Sequence, residues 1–407
     1  MKRGEDTPPC VPVSEVMTKF ALDTKAANAA IDAPRRDPAR HPWDEPCADA
    51  LWDAEFVPAK PAEPPEVEPE VPDEDLIVGI PLPSEVTTEE LLRALTDTSK
   101  SFLGGLGVFI PEDDPPVPGR ESIEPKPGLG PWKIKDEILK ELRGARGDVD
   151  TTAEALAQRA LDRIAGWGDI LLGAAARQSV ADAATAVSAH WDEWRQATSP
   201  GAEFDQKVSV NITLETGAIE VRGVIERKGT DDSGVSTVES LTVSSPGGKH
   251  LLRAWLVQLV AAASSGATAA RLYGLKDGAT KKVSLKPIAE TDARETLADL
   301  LSIWSQSRTR PIELFETMSQ GIADGLDEDG RVSARARLEA EAAWFEGSSF
   351  GDEKKSPENE ARWNAPFMRH FDPHDALKGN TSDEWDGLVG LADRVWGRLA
   401  RATETEK

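Results

Sequence analysis

Between Lys207 and Leu214 the sequence KVSVNITL alternates with a period of two, which sets Val208, Val210, Ile212 and Leu214 on one side of an extended chain. Only a β-strand has that repeat, so any fold for this chain must contain a half-buried sheet. Two further runs rich in β-branched residues follow, Ala218–Lys228 and Gly234–Ser244. The separators Thr216-Gly217 and Asp231-Asp232-Ser233-Gly234 carry turn chemistry, and the three runs are predicted to form an antiparallel meander. A helix comes next, with Leu251, Trp255, Leu259 and Leu252, Leu256, Val260 in two i, i+4 rows. Ala269–Leu275 and Lys282–Leu285 are two more candidate strands. The rest is helical, with Leu297, Leu300, Leu301 and Trp304 on one stripe and Leu388, Leu391, Val395 and Leu399 on another.

Upstream of the meander the signals are helical. Thr87 with Glu90 three residues on has the spacing of a capping box, in which hydroxyl and carboxylate each satisfy an orphan amide of the first turn. Leu91, Leu92 and Leu95 supply its apolar face. Thr98–Leu103 reads as a second short helix, stopped by Gly104, Gly105 and Gly107. Further helices are expected at Ile134–Leu142, from Thr151 (a second capping box with Glu154) and at Ser179–Arg195. Val11–Leu22 has the pattern of one short helix, and Leu76–Ile80 is a short apolar run. Residues 55–75 are dominated by Glu, Asp and Pro. Proline favours extended backbone and the acids repel one another, so this stretch is predicted to be a linker between residues 1–54 and residues 76–407. The order helices, meander, helix, strands, helices gives an α+β class: a helix-rich domain with a small central sheet, preceded by an irregular N-terminal segment.

The apolar runs are far shorter than the roughly 20 residues a membrane span needs. The first residues lead into prolines and acids without an apolar core, so no signal peptide is expected. Cys10 and Cys47 are the only cysteines, which argues against a disulfide framework and for the cytoplasm. Net charge is −25 from 72 acids against 47 bases, so strong independent DNA binding is not the expected behaviour. The acidity is uneven, however. Arg222–Arg271 holds several bases and few acids outside Asp231-Asp232, leaving room for a local basic face.

Motifs for hydrolysis and metal binding are incomplete. Pro246-Gly247-Gly248-Lys249-His250 lacks the hydroxyl and the glycine spacing of G-x-x-x-x-G-K-S/T, and Leu103–Gly107 is not a dinucleotide pattern. His370 and His374 flank Pro373, so they do not share a helical face. Asp327, Asp329 and Gly330 resemble a calcium loop, but Glu339 falls one residue late for its closing position. No cofactor is expected.

The meander is the place for a hidden active site. A metal-dependent nuclease of the restriction-enzyme-like class sets an acid on one strand and Asp/Glu-x-Lys on its neighbour, aimed at one divalent ion and one water. Glu226 stands where the first acid belongs. The neighbouring strand, Val238–Ser244, has no acid-x-lysine at its centre, since Thr242 and Ser244 replace neither a carboxylate nor an ammonium. Glu226-Arg227-Lys228 is itself Glu-x-Lys with Asp205 upstream, so Asp205, Glu226 and Lys228 are the catalytic set if the chain is an active nuclease. Those residues fit a solvated strand face equally well. Trp255 and Trp304 lie on apolar stripes and are expected in the core. Trp191 and Trp194, near His190, suit either a core or a partner-facing patch.

Several segments resemble, in order, the C-terminal part of the exodeoxyribonuclease V gamma subunit (RecC) family. Thr7–Val16 is similar to that family's Pro-Pro-Ser-x-x-Val-Ser-Glu-Leu-Leu segment and His41-Pro42-Trp43 to the His-Pro-Leu beyond it. Thr87–Leu92, Ser101-Phe102-Leu103 and Leu106-Gly107 resemble its Leu-x-Leu-x-x-Leu and Phe-Leu…Leu-Gly run. Leu251–Leu256 resembles its Leu-Leu-Arg-Ala-Trp-Ile helix after a meander. Pro311–Phe315 is similar to Pro-Leu-Pro-Phe-Phe, and Trp344–Gly347 to its Trp-x-Gly. Cys10, Glu313 and Thr317-Met318-Ser319 depart from the pattern, standing for a serine, a proline and a Trp-containing stretch.

The resemblance implies that residues 76–407 form a restriction-endonuclease-like domain that has lost its catalytic residues, and that residues 1–54 are a remnant of a helicase-like region. It implies a non-catalytic structural and DNA-guiding role in a heterotrimeric double-strand-break repair complex, with RecB-like and RecD-like subunits and double-stranded DNA ends as partners. The two helicase-like domains that precede this region in the family are absent, so the chain reads as a truncated subunit, a split-gene product or a fragment. Arg227, Lys228, Lys249 and Arg253 are the candidate phosphate contacts. The alternatives are an active metal-dependent DNA nuclease and an acidic protein-interaction module.

Overall fold

The structure is a computed structural model. The described residues are 82–108, 129–144, 174–197, 202–231, 234–345, 371–379 and 387–404, with short pieces elsewhere. The expectations for Val11–Leu22, the acidic linker, Leu76–Ile80, the Thr151–Glu154 box and His370 lie outside them.

A six-stranded mixed sheet organises these residues. The predicted meander is present as β2 (Glu203–Leu214), β3 (Gly217–Thr230) and β4 (Ser236–Thr242), antiparallel throughout. Gly217, at φ 133°, makes the tight β2–β3 return that a side chain would strain. From β4 the chain crosses over the sheet in helix α5 (Gly248–Ser265) and returns as β5 (Thr268–Lys276), parallel to β4. A parallel pair needs such a crossover, and α5 is buried over most of its length. Asp277 and Gly278, both with positive φ, then turn the chain into the antiparallel partner β6 (Ala279–Ile288).

One strand is not signalled by any periodicity. Glu85–Thr87 forms β1, parallel to β3 with Val86 opposite Val221. It runs directly into α1 (Thr88–Thr96), whose N-cap is Thr87. Both halves of the predicted capping box are formed: Thr87 Oγ1 accepts from Glu90 N at 3.2 Å and Glu90 Oε2 accepts from Thr87 N at 2.8 Å. The next helix, α2 (Thr98–Gly105), stops at the predicted glycines.

Two cores sandwich the sheet. Alternation along β4 and β5 sends Val238 and Ala270 to one side, among α1, α5 and α6 (Glu290–Thr309), and sends Leu241, Val243, Tyr273 and Leu275 to the other. That second side is covered by α3 (Leu129–Gly144) and α4 (Ala174–Gln196). Trp191 and Trp194 belong to this core, with ring centroids 5.0 Å apart, so neither forms a partner-facing patch. Trp255 and Trp304 are buried as expected. A third cluster joins α7 (Glu316–Asp324), α8 (Ala334–Phe345) and the apolar stripe that begins at Leu388, around the contacting rings of Phe315, Trp344 and Phe371. The calcium-like loop is a turn: Asp327 Oδ1 accepts from Asp329 N at 3.0 Å and Arg331 N at 2.8 Å, so that oxygen serves the backbone.

Candidate functional site

On one edge β3 pairs with β2 along its length, but on the other it is shared. β1 covers Glu220–Arg222 and β4 begins only at Arg227. Residues 223–226 therefore have no strand partner on that edge, and a groove of about 1030 Å³ opens there. Its walls come from the start of α1, from Trp132, Asp136 and Arg143 of α3, from β2 and β3, from Ser240–Thr242 of β4, and from the first turns of α5.

The charges in the groove are mostly paired. Arg253 Nε lies 2.7 Å from Glu89, Arg222 bridges Glu85 at 2.8 Å and Glu220 at 2.7 Å, and Asp136 meets Lys140 at 2.9 Å. Lys207 and Lys249 also line it, both exposed, and among the described residues no carboxylate pairs with either. In a chain of net charge −25, this leaves a local positive excess. Trp132, 40% exposed, and Val224, 54% exposed, give it an apolar element.

His250 lines the same groove, at the start of α5. Burial, and then the positive charges of Arg253 and Lys249, hold its imidazole down at about 4. Unfolded, the ring takes a proton near its ordinary 6.5, whereas folded it does so only near 4. This group therefore favours the folded state fully above about 6.5 and loses that contribution as pH falls towards 4. His250→Gln is expected to flatten the fall in melting temperature across that interval, as read by thermal scans of both proteins.

The centre of the groove is arranged around Glu226. Arg143 Nε donates to Glu226 Oε1 at 2.8 Å, and Arg143 Nη2 donates to the Leu241 carbonyl at 2.8 Å. Leu241 N in turn donates to Glu226 Oε2 at 3.0 Å. On β4 the other acid, Glu239, is buried and pairs with Arg227 and, at 3.4 Å, with Arg271. The register sets Asp205 across from Glu226, between the pairs Phe204↔Arg227 and Gln206↔Ile225. At Asp205, however, the backbone is left-handed, φ 52°, and the ladder is interrupted. Lys228 is half-buried opposite Val238. Among the described residues no three Asp, Glu, His or Cys side chains converge in a way that could hold an ion. The divalent ion of a restriction-like nuclease does not fit here, because the oxygen it would take already faces a guanidinium.

One expected phosphate contact is corrected. Arg227 is fully buried: its guanidinium lies 4.1 Å from the Trp194 ring centroid and Nη1 donates to the Trp194 carbonyl at 2.5 Å. Adjacent residues of a strand point to opposite sides, so Arg227 and Lys228 cannot form one surface patch. Lys249 and Arg253 do line a common groove with Glu226. Sequence reasoning missed Arg143 and Lys207. Lys207 sat in plain view as a polar position of the alternating strand. Arg143 meets Glu226 from 83 residues away and carries no local signal.

The fold and this groove together define the class: an α+β domain built on a mixed sheet whose central carboxylates are neutralised by arginines. The particular family follows from the sequence. A family model described as the RecC C-terminal domain matches residues 83–326, more than half of the chain, and the chain belongs to that family. No curated protein matches it. Among solved structures, the one described as the crystal structure of SSO0001 is 14% identical over 42% of this chain and 85% of that chain, with a TM-score of 0.23, too low to define the fold.

Proposed function

We propose that this chain is a non-catalytic, DNA-guiding subunit, or a portion of one, of a RecBCD-type helicase–nuclease that acts on double-strand breaks. Membership of the RecC C-terminal domain family supports the assembly, with RecB-like and RecD-like subunits and double-stranded DNA ends as partners. The observation that carries the non-catalytic half is the pairing of Glu226 with Arg143 and of Glu239 with Arg227, where a nuclease-like sheet needs free carboxylates and a lysine. A cytoplasmic location goes with this reading. Among the described residues no helix is long and apolar enough to cross a membrane.

DNA would lie over the groove, held at its phosphates by Lys249 and Arg253 of α5 and Lys207 of β2, with Lys228 two residues beyond Glu226 on β3. Purified protein incubated with linear duplex DNA and magnesium or manganese is expected to leave it intact. Cleavage that Glu226→Ala abolishes would reverse the assignment in favour of Asp205, Glu226 and Lys228 as a catalytic set. Co-expression with RecB-like and RecD-like subunits should retain this chain in a pull-down. Its absence from the complex would favour an acidic interaction module. In the assembled complex, the double variant Lys207→Glu, Lys249→Glu is expected to weaken DNA binding. The salt dependence should also become shallower, by about 0.9 log units per log unit of salt for each phosphate that is no longer neutralised.

A further inference from the structure

We infer that Arg143 is the resident cation of an oxygen-lined site at the sheet centre, occupying permanently a position that would otherwise take a hard divalent metal ion. The contacts form a closed ring across three elements: α3 supplies the guanidinium, β3 the Glu226 carboxylate and β4 both main-chain groups of Leu241. A carboxylate oxygen and a peptide carbonyl oxygen are the ligand types that hard divalent ions select, and such ions commonly complete their shell with water. Both oxygens face the same positive group at 2.8 Å. The Glu226 side chain is only 16% exposed, so it cannot be left without a counter-charge at low cost.

An ordinary surface ion pair does not look like this. Arg222 and Glu220 are two residues apart on one strand, and both are far more exposed than Glu226. Arg143 instead comes from outside the sheet and spends a second donor on a carbonyl, as a bridging ion would. The consequence is a sheet centre that keeps its charge balance without any metal, and a groove floor that does not repel an anionic strand. The assignment stands apart from the DNA reading, since it concerns only the occupant of the Glu226–Leu241 pair.

The test is manganese binding by the full chain, followed by electron paramagnetic resonance in the absence of DNA. Wild-type protein should show no site that depends on Glu226. Arg143→Ala should gain one Mn²⁺ at least tenfold tighter than any site in the wild type, and the double variant Arg143→Ala, Glu226→Gln should lose it. Arg143→Ala binding no more tightly than wild type, or the double variant binding equally well, would overturn the inference. If Arg143→Ala is unfolded in metal-free buffer, circular dichroism takes over the decision. Refolding on addition of Mn²⁺ supports the assignment, because an ion that binds only the folded form stabilises it. A chain that stays unfolded in saturating Mn²⁺ refutes it.

Discussion

Replacing Arg227 by methionine is expected to remove about 3–5 kcal/mol of folding free energy, the usual cost of breaking a buried ion pair from one side. Arg227 has no exposed surface, and Glu239 beside it is 4% exposed. Methionine keeps much of the stem's bulk but leaves Glu239 with only the longer contact to Arg271, at 3.4 Å. The Trp194 carbonyl loses its donor and the indole loses the cation above it. Urea unfolding followed by tryptophan fluorescence measures the loss. Adding Glu239→Gln should recover part of it, since the stranded charge disappears. A double variant as unstable as the sum of the two singles would show that the pair is not coupled, and that Arg227 acts through packing alone.

Gly274→Ala should cost about 3 kcal/mol, at the upper end for an overpacked interior site. Gly274 lies in β5, and the link from β4 to α5 passes directly over it. Leu275 N donates to the Ser244 carbonyl at 3.0 Å. A Cβ at position 274 would stand 2.6 Å from both the Ser244 oxygen and Pro246 Cδ. These obstacles belong to backbone and a proline ring, which do not swing aside as a flexible side chain does. The displaced link also carries the first turn of α5 and hence Lys249, so groove function should fall with stability. Gly321→Ala is the control. It lies in α7 with nothing within 4 Å of the added methyl, and there the better helix former should stabilise by up to about 1 kcal/mol. Thermal scans of the two variants should therefore move in opposite directions.

Much of the sheet is legible in the sequence. The alternation from Lys207 to Leu214 fixes β2, and its partners are marked by turn residues such as Gly217, because strand periodicity and turn geometry are both local properties. The capping box of α1 is legible for the same reason, being a contact between residues three apart. β1 is not, since three residues are too few to show a period and its partner β3 is distant in sequence. The site divides in the same way. Glu226, Lys249 and Arg253 stand out from local pattern and do share one groove. Arg227 has the charge of a surface residue, and only the contact with Trp194 and Glu239 reveals that it belongs to the core.

What the sequence by itself determined is the order and type of most elements, and the lack of an acid-x-lysine on the strand beside Glu226. Which cations would meet which carboxylates was decided by the tertiary structure alone. Arg143 reaches Glu226 because the packing of α3 against the sheet brings together charges 83 residues apart, whereas Arg227 meets Glu239 across the β3–β4 register and is shut off from water by Trp194 of α4. A charge excluded from water must find its counterpart wherever the fold delivers one.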